Sequence, residues 1–506
     1  MKKIVLATLS VMLLVNARAQ NEQDALRYSQ SSLFGSARVQ GAGGAFGALG
    51  ADLSAVAINP AGIGLYRRSE FSGSFGVTAY LTDSKYIGTS ASESKTNLNI
   101  PQFGFVFNKL QQGFNGDETE GLVSYSFGIG MNRLNDFQQN NYYTGVNTKT
   151  SIADYFAEKA NGRYFAPSTS YTNDIAGMAW NTYMIDSIGN GRYGSTFRSK
   201  NDTAFSIQQS NINKLSGRIN EWNFSAGINV ADVVYFGASL LFQNVNYESN
   251  NVFKENVLIT STDSNKYRLS AFTSNVKTQG TGIGGRFGII IKPSDYFRIG
   301  ASYTTAVRLN LKDEYNYGLS STVNNQNYFF NANTRTDFFE YDVVTPAKLT
   351  LSGAIMHPKL GFISVDWDRV DYTTARLTSG TEEFYNANQQ IKTKYTVANN
   401  VRIGAELKYK DTRFRAGYAN YGSPLSSTSN GISINNATQS VTGGLGFIFP
   451  SVDRFGSDFY IDGAMVYTWG KNYQTPYTLK EVGQVNYSAE TAFTYMNFMV
   501  TAGFRF

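Results

Sequence analysis

Apolar and polar residues alternate with a period of two through much of this chain. In the last nine residues, Phe498, Val500, Ala502, Phe504 and Phe506 fall on one face of an extended strand, with Met499, Thr501, Gly503 and Arg505 on the other. The same rhythm sets Phe71, Gly73, Phe75, Val77 and Ala79 against Ser72, Ser74, Gly76 and Thr78. It sets Trp222, Phe224, Ala226 and Ile228 against Glu221, Asn223, Ser225 and Gly227. It returns at Val401, Ile403, Ala405 and Leu407, and again at Phe459, Ile461, Met465, Tyr467 and Trp469. Successive side chains on a strand point to opposite faces, so each segment has one face in an apolar medium and one in a polar medium.

Connections alternate as well. Tight turns are predicted at Asn229–Asp232, Lys292–Asp295, His357–Lys359 and Lys408–Asp411. Between them lie long polar stretches at Tyr247–Asn265, Lys312–Thr336, Thr373–Lys394, Gly422–Asn436 and Lys471–Tyr487. Short turns on one side and long loops on the other are the habit of outer-membrane barrels. About fourteen strands fit between Phe71 and Phe506, an even number as single-chain barrels require. The predicted fold is all-β, a 14-stranded antiparallel transmembrane β-barrel over residues 71–506, with Phe504 and Phe506 marking the closing strand. A terminal phenylalanine of this kind is also expected to be read by the barrel assembly machinery. The largest external excursion is expected at about 135–220. It holds two candidate helices, one opened by a capping box at Ser151–Asp154 and one from Asp174 to Asp186.

Composition narrows the picture. Lys2 and Lys3 precede an apolar run, Ile4 to Val15, and Ala17-Arg18-Ala19 forms a small-x-small cleavage site. Residues 1–19 are therefore expected to be a cleaved signal peptide. No stretch approaches the roughly 20 apolar residues a spanning helix needs, and the mean hydropathy is −0.28. The formal charge of +6 includes Lys2, Lys3 and Arg18, all lost with the signal. The remainder is too small and too dispersed for a nucleic-acid partner. Cysteine is absent, which excludes disulfides, thiolate metal sites and a thiol nucleophile. The single histidine, His357, falls in a predicted turn, which disfavours acid–base or triad chemistry. No catalytic residue, metal or cofactor is expected.

Residues 20–70 do not read as barrel wall. Gly41 to Gly50 is a run of small residues, Ala51–Ile58 is a candidate short helix, and Asn59-Pro60-Ala61-Gly62 follows. Proline cannot donate to a ladder, and it holds the residue before it extended, so the segment breaks there. Small residues let backbone pack on backbone, as a plug inside a barrel must.

At these residues the chain resembles the FadL/TodX family of outer-membrane transporters of hydrophobic compounds. The resemblance rests on Gly43-Gly44-Ala45-Phe46, on Asp52-Leu53-Ser54-Ala55-Val56, and on Asn59, Pro60, Ala61 and Gly62. It implies an N-terminal hatch (residues 20–70) inside the lumen. It also implies passive passage of long-chain fatty acids or aromatic hydrocarbons, released by hatch movement through a wall opening near a kinked third strand. That strand is expected at Leu122–Met131, with Gly128 and Gly130 as candidate kink positions. The implied partners are a hydrophobic ligand and outer-membrane lipids, with the protein a monomer. The long second external loop departs from the family pattern, and the residues lining a ligand pocket cannot be matched.

Alternation places Arg298, Lys348, Arg402, Arg413, Arg415 and Arg505 on the lumen face, against Asp366, Asp368, Glu406 and Asp462. This basic excess is expected to meet acidic hatch residues such as Asp52, or a carboxylate-bearing ligand. A rival reading from another class is a FadL-like barrel that serves as a secretion or attachment factor, as in type IX secretion, binding protein partners through its external loops.

Overall fold

The wall is one antiparallel sheet closed on itself. In the computed structural model, residues 21–30, 34–111, 121–165, 175–196, 206–259, 267–323, 326–331, 337–380, 384–426, 436–450, 457–481 and 484–506 are described. The expected signal peptide lies outside them. Fourteen wall strands follow in chain order. Strand 1 is Glu70–Tyr86; strand 2 is Thr89–Asn99 with Gln102–Leu110; strand 3 is Leu122–Asp136 with Gln139–Asn147. Strands 4, 5 and 6 are Ser206–Val230, Val234–Ile259 and Tyr267–Ser294. Strand 7 is Phe297–Thr304 with Arg308–Val323, and strand 8 is Gln326–Asn331, Asp337–Val344 and Lys348–His357. Strands 9 to 14 are Gly361–Asp371, Val397–Tyr409, Thr412–Tyr421, Thr438–Pro450, Asp458–Gln474 and Ala489–Arg505.

Strand 14 pairs back onto strand 1, from Glu70↔Arg505 to Lys85↔Glu490. Beyond that ladder, Ser69 and Phe506 exchange two backbone hydrogen bonds of 3.0 Å each. Closure leaves no sheet edge at this seam, which is the requirement for backbone placed in lipid.

The exterior is apolar and the interior polar, the reverse of a soluble protein. Phe75, Phe127, Phe224, Phe287, Ile363 and Val500 are all more than 39% exposed and point outward. Their neighbours Ser74, Ser126, Asn223, Ser364 and Thr501 are buried and point inward. This is the division that alternation predicts.

Strands 4, 5 and 6 run 25, 26 and 28 residues, well over the roughly 9–11 needed to span a bilayer. The stretches expected as loops at Tyr247–Asn265 and Lys312–Thr336 therefore contain strand, in Val234–Ile259, Arg308–Val323 and Gln326–Asn331. The physical reason is plain on strand 5. Its outward face is Phe236, Leu240 and Phe242, then Asn244, Asn246 and Glu248. Above the bilayer both faces tolerate polar side chains, so alternation fades while the backbone ladder continues.

The external excursion is correspondingly shorter than 135–220. Strand 3 reaches Asn147 and strand 4 begins at Ser206, leaving 148–205, of which 166–174 and 197–205 lie outside the described residues. It contains the helix Ile152–Ala160, opened by a full Ser151/Asp154 capping box, and the helix Ile175–Asn181. A hairpin of Ile185–Gly189 and Arg192–Ser195 follows.

The described residues of 21–69 form a compact segment that precedes strand 1. A helix, Glu22–Ser29, is capped by Asn21, and a short one spans Ala37–Gly41. Two 3₁₀ turns follow, Ala55–Ala57 and Pro60–Leu65. The helix expected over Ala51–Ile58 is reduced to the first of these turns. Gly43 (φ 66°) and Gly44 (φ 73°) take the left-handed conformation, which reverses the chain inside a narrow space.

Candidate functional site

The N-terminal segment meets the inner wall backbone to backbone. A Cβ added at Gly404 would come 2.2 Å from Ala42 O; at Gly417, 2.2 Å from Gly43 N; at Gly237, 2.2 Å from Pro60 O. These wall glycines are spaces left for the segment, and no side chain fits there. The interlocking is then completed by directional bonds from wall side chains. Asp366 on strand 9 accepts from Phe46 N and Gly47 N at 3.1 Å each. Arg298 on strand 7 donates to Leu49 O at 2.8 Å, and Ser302 donates to Ile58 O at 2.7 Å. Thr442 bridges Gly41 O and Gly43 N at 3.0 Å each, and Thr501 accepts from Ala37 N at 2.7 Å.

The Asn59-Pro60-Ala61 motif has a clear local role. Asn59 Oδ1 accepts from Ala61 N at 3.1 Å and caps the 3₁₀ turn, while Pro60 occupies a first-turn position that needs no donor. Its Nδ2 donates to Gly47 O at 2.8 Å and to the wall carbonyl of Ile289 at 3.2 Å. Gly62 packs on Gly50, where a Cβ would sit 2.9 Å from Gly50 Cα. Phe46 stands edge-on to Phe362 at 5.6 Å, with the Arg38 guanidinium 5.3 Å over its ring.

Three of the expected lumen cations are paired with wall carboxylates. Arg402 binds both Asp366 and Asp368; Arg415 binds Glu406 and Asp462; Arg505 donates to Glu70 at 2.7 Å. Asp52 is held within its own segment, accepting from Ser36 Oγ and Ser54 N. Asp366 therefore meets segment amides, while acidic Glu22 of the segment pairs with Lys394. Among the described residues Arg402 and Asp52 share no ion pair. Arg413 donates to the carbonyls of Lys410 and Thr412. His357 Nδ1 accepts from Lys359 N and Leu360 N, so it caps its turn.

Above the segment lies an internal cavity of about 110 Å³, lined by Glu221, Arg286, Lys348, Asp368, Arg402 and Tyr421 among others. Arg286 grips Glu221 through two N–H groups at 3.0 and 3.4 Å, a bidentate geometry. The roof is the helix Glu22–Ser29, whose Ala25 and Tyr28 pack among Tyr247, Leu309, Leu311 and Tyr341.

Strand 3 interrupts the wall. Gly128 and Gly130 lie in continuous ladders, opposite Val106 and Gly104 on strand 2 and Ser225 and Asn223 on strand 4. The departure comes later, at Arg133, whose N–H donates to Pro101 O at 2.9 Å. The register with strand 4 shifts between Arg133 and Asn135. Among the described residues no ladder joins Thr89–Asn99 to strand 3. Strand 3 instead bends inward. The carbonyls of Asp136 and Asn140 accept from Tyr80 and Thr82, inward-pointing side chains of strand 1. Among the described residues, the hydrogen bonds that cross here are Asn97 to Asp136 (3.1 Å), Asn140 to Ser94 (3.4 Å) and Lys95 to Leu215 O (2.7 Å). The lower end of this gap is flanked by Leu98 and Ile100, exposed on the apolar exterior. The N-terminal segment touches the same place, because Phe34 N donates to Arg133 O at 3.0 Å and Asn135 donates to Gln30 O. Sequence reading missed Phe34 and Arg133. The Ile100-Pro101 interruption of strand 2 was the available signal.

The outer mouth is covered differently. Phe156, Ala160, Met178 and Met184 of the excursion pack on Tyr86, Phe253, Leu319 and Tyr477. These partners come from around the circumference, so the excursion lies across the opening. One buried carboxylate serves it: Glu255 accepts from Ser151 Oγ, from Ile152 N (2.9 Å) and from Gln209 Nε2 (2.7 Å). Glu255 stands beyond the apolar belt, and burial pushes its carboxyl up to about 7 despite these hydrogen bonds.

No family model matches the sequence, and no curated protein matches it. Solved structures do. A FadL homologue of Pseudomonas aeruginosa is 12% identical with a TM-score of 0.58, covering 93% of this chain and 98% of its own. A deltaS2 mutant of the TodX monoaromatic hydrocarbon channel is 15% identical with a TM-score of 0.51, covering 94% and 99%. At such identities the likeness is one of architecture. This chain has the FadL/TodX-type outer-membrane barrel fold.

Proposed function

We propose that this protein is an outer-membrane channel for hydrophobic small molecules, closed by an N-terminal hatch and opening sideways into the bilayer. The observation that carries this reading is the stretch between strands 2 and 3 without a ladder, at the depth of Leu98 and Ile100. Unpaired backbone in lipid is expensive, so a wall gap at that depth calls for a purpose. Lateral release suits a ligand that prefers lipid to water. The hatch bears on the gap through Phe34 and Arg133, so hatch movement and gap width are linked. Lys348, which faces the cavity without a hydrogen-bond partner among the described residues, suits a ligand with a carboxylate end. The solved relatives agree in kind, one being named a monoaromatic hydrocarbon channel.

The test is uptake of labelled oleate and labelled toluene by cells whose own channels for these compounds are deleted, with and without this protein. Faster uptake of either compound supports the reading. Equal uptake of both, with no lipid or hydrocarbon co-purifying by mass spectrometry, overturns it.

One observation favours the rival role as an attachment factor. The cavity, about 110 Å³, is smaller than the ~300–1,000 Å³ of most ligand pockets. On that reading the projecting strands and the covered mouth form a protein-binding head, and deleting residues 152–196 abolishes partner capture without changing uptake.

A further inference from the structure

A second pocket, of about 300 Å³, opens at the other end of the barrel, between the N-terminal segment and the strand ends that carry the short turns. Seven cationic side chains and three carboxylates line it. The carboxylates are heavily engaged. Glu70 is held by Arg505 and Tyr460, Asp462 by Arg415, and Glu406 by Arg415 at 2.8 Å. Two further cations find acids at the rim, Arg68 with Asp458 and Arg67 with Asp232. Three are left with no ion pair among the described residues: Arg38, Lys408 and Arg413. Glu406 attracts Arg38 and Lys408, and Asp462 attracts Arg38, but both carboxylates are already bound by Arg415.

The placement of the three is informative. Lys408 and Arg413 are directly opposite one another across strands 10 and 11. Like charges at opposed positions destabilise a sheet. Arg38, from the helix Ala37–Gly41, adds a third charge, and both arginines repel Lys408. Their donors are mostly unspent. Arg38 gives one hydrogen bond, to Ala51 O at 2.8 Å; Arg413 uses one nitrogen on two carbonyls; Lys408 gives one long bond of 3.3 Å to Pro358 O. A guanidinium has five N–H donors and an ammonium three. The pocket volume corresponds to roughly ten waters, ample for a small anion with part of its hydration shell.

We propose that Arg38, Lys408 and Arg413 form a periplasm-facing binding site for a small oxyanion, a phosphate or a carboxylate. The bound anion relieves the Lys408–Arg413 repulsion. Because Arg38 belongs to the hatch and the other two to the wall, it also ties hatch to wall. The proposal does not depend on what crosses the barrel.

The test uses the full-length protein in detergent, with inorganic phosphate and sodium octanoate as separate probes, each followed by equilibrium dialysis and by thermal unfolding. Saturable binding of either probe is expected, weakened about tenfold or more in Lys408→Gln/Arg413→Gln, where two charge-assisted contacts are lost. Arg67→Gln, at a rim cation already paired with Asp232, should bind as the parent does. Heat-modifiable migration in gels confirms that each variant still forms a barrel. Phosphate binding alone identifies a phosphate-type site, and octanoate binding identifies a carboxylate site; both support the proposal. It is overturned if neither probe saturates, or if the double variant binds as tightly as the parent.

Discussion

The two ends of this barrel are closed by different mixtures of contacts. At the turn end, the N-terminal segment lies on glycines, hydrogen-bonds to Asp366, Arg298, Ser302 and Thr442, and adds apolar contacts such as Phe46 on Phe362. At the loop end, the excursion is seated by large apolar side chains, Phe156, Met178 and Met184 against Phe253, Leu319 and Tyr477. A hydrogen bond exchanged for water costs little net free energy, about 0.5–1.5 kcal/mol. An apolar contact has no such substitute, and exposing a buried Phe or Met costs about 1.5–3 kcal/mol each. On the proposed reading the N-terminal segment is the part that moves, since water can replace its directional bonds, while the more apolar outer cover stays seated.

The largest expected effect comes from filling a space left for the hatch. Gly404→Leu places a side chain where Ala42 O now lies, so the hatch cannot seat while the outward face of strand 10 is untouched. In planar bilayers this variant should show a large, steady conductance that the parent lacks; an equally silent variant would mean the hatch does not seal the lumen. Next, Asp366→Ala strips Arg402 of one partner and leaves Phe46 N and Gly47 N unmatched. Removing one partner of a buried pair costs about 3–5 kcal/mol. Phe156→Ala costs a similar ~3–5 kcal/mol, but at the other end. The comparison predicts that Asp366→Ala raises conductance and Phe156→Ala raises hydrogen exchange in the outer cover, each without the other's effect.

A smaller effect is expected from pH. The Glu255 carboxyl titrates near 7 when buried, against 4.5 when free. Folding therefore favours its protonated form. The cover is most secure below the free value and loses stability as pH rises through the window from about 4.5 to 7, by at most about 3 kcal/mol. Asp154, in the same helix turn, adds to the repulsion. Hydrogen exchange of Ile152–Ala160 at pH 5 and pH 8 measures this, and Glu255→Gln should flatten the difference. Smallest is Phe34→Pro, which deletes one donor to Arg133 O and so costs about 1 kcal/mol. It should loosen the link between hatch and gap, read as altered uptake with only a slight loss of thermal stability.

How much of this was legible in the sequence follows from which forces leave a pattern. Alternation between lipid and lumen is written residue by residue, so the wall and its closing strand could be read directly. Pro60 marked a break because it lacks a donor and holds Asn59 extended, but the cap that Asn59 forms on Ala61 N appears only in the fold. The strand extensions above the bilayer were read as loops because ladder bonds are indifferent to side chains once both faces meet water. The kink was sought at Gly128 and Gly130, since glycine weakens strands. The ladder ends near Pro101 and Arg133 instead, where an extra residue in strand 2 and an inward turn of strand 3 combine. Such a break depends on two strands at once. Glu255 was invisible for the same reason: its partners Ser151 and Gln209 are distant in sequence.

In the proposed channel, ligand leaves through the wall between strands 2 and 3. The chain has no cysteine of its own, so a disulfide can be placed across the gap without interference. Asn97 and Asp136 already touch across it, at 3.1 Å. In Asn97→Cys/Asp136→Cys the account predicts that oxidation stops uptake of labelled oleate or toluene and that reduction restores it. Undiminished uptake by fully cross-linked protein would contradict it.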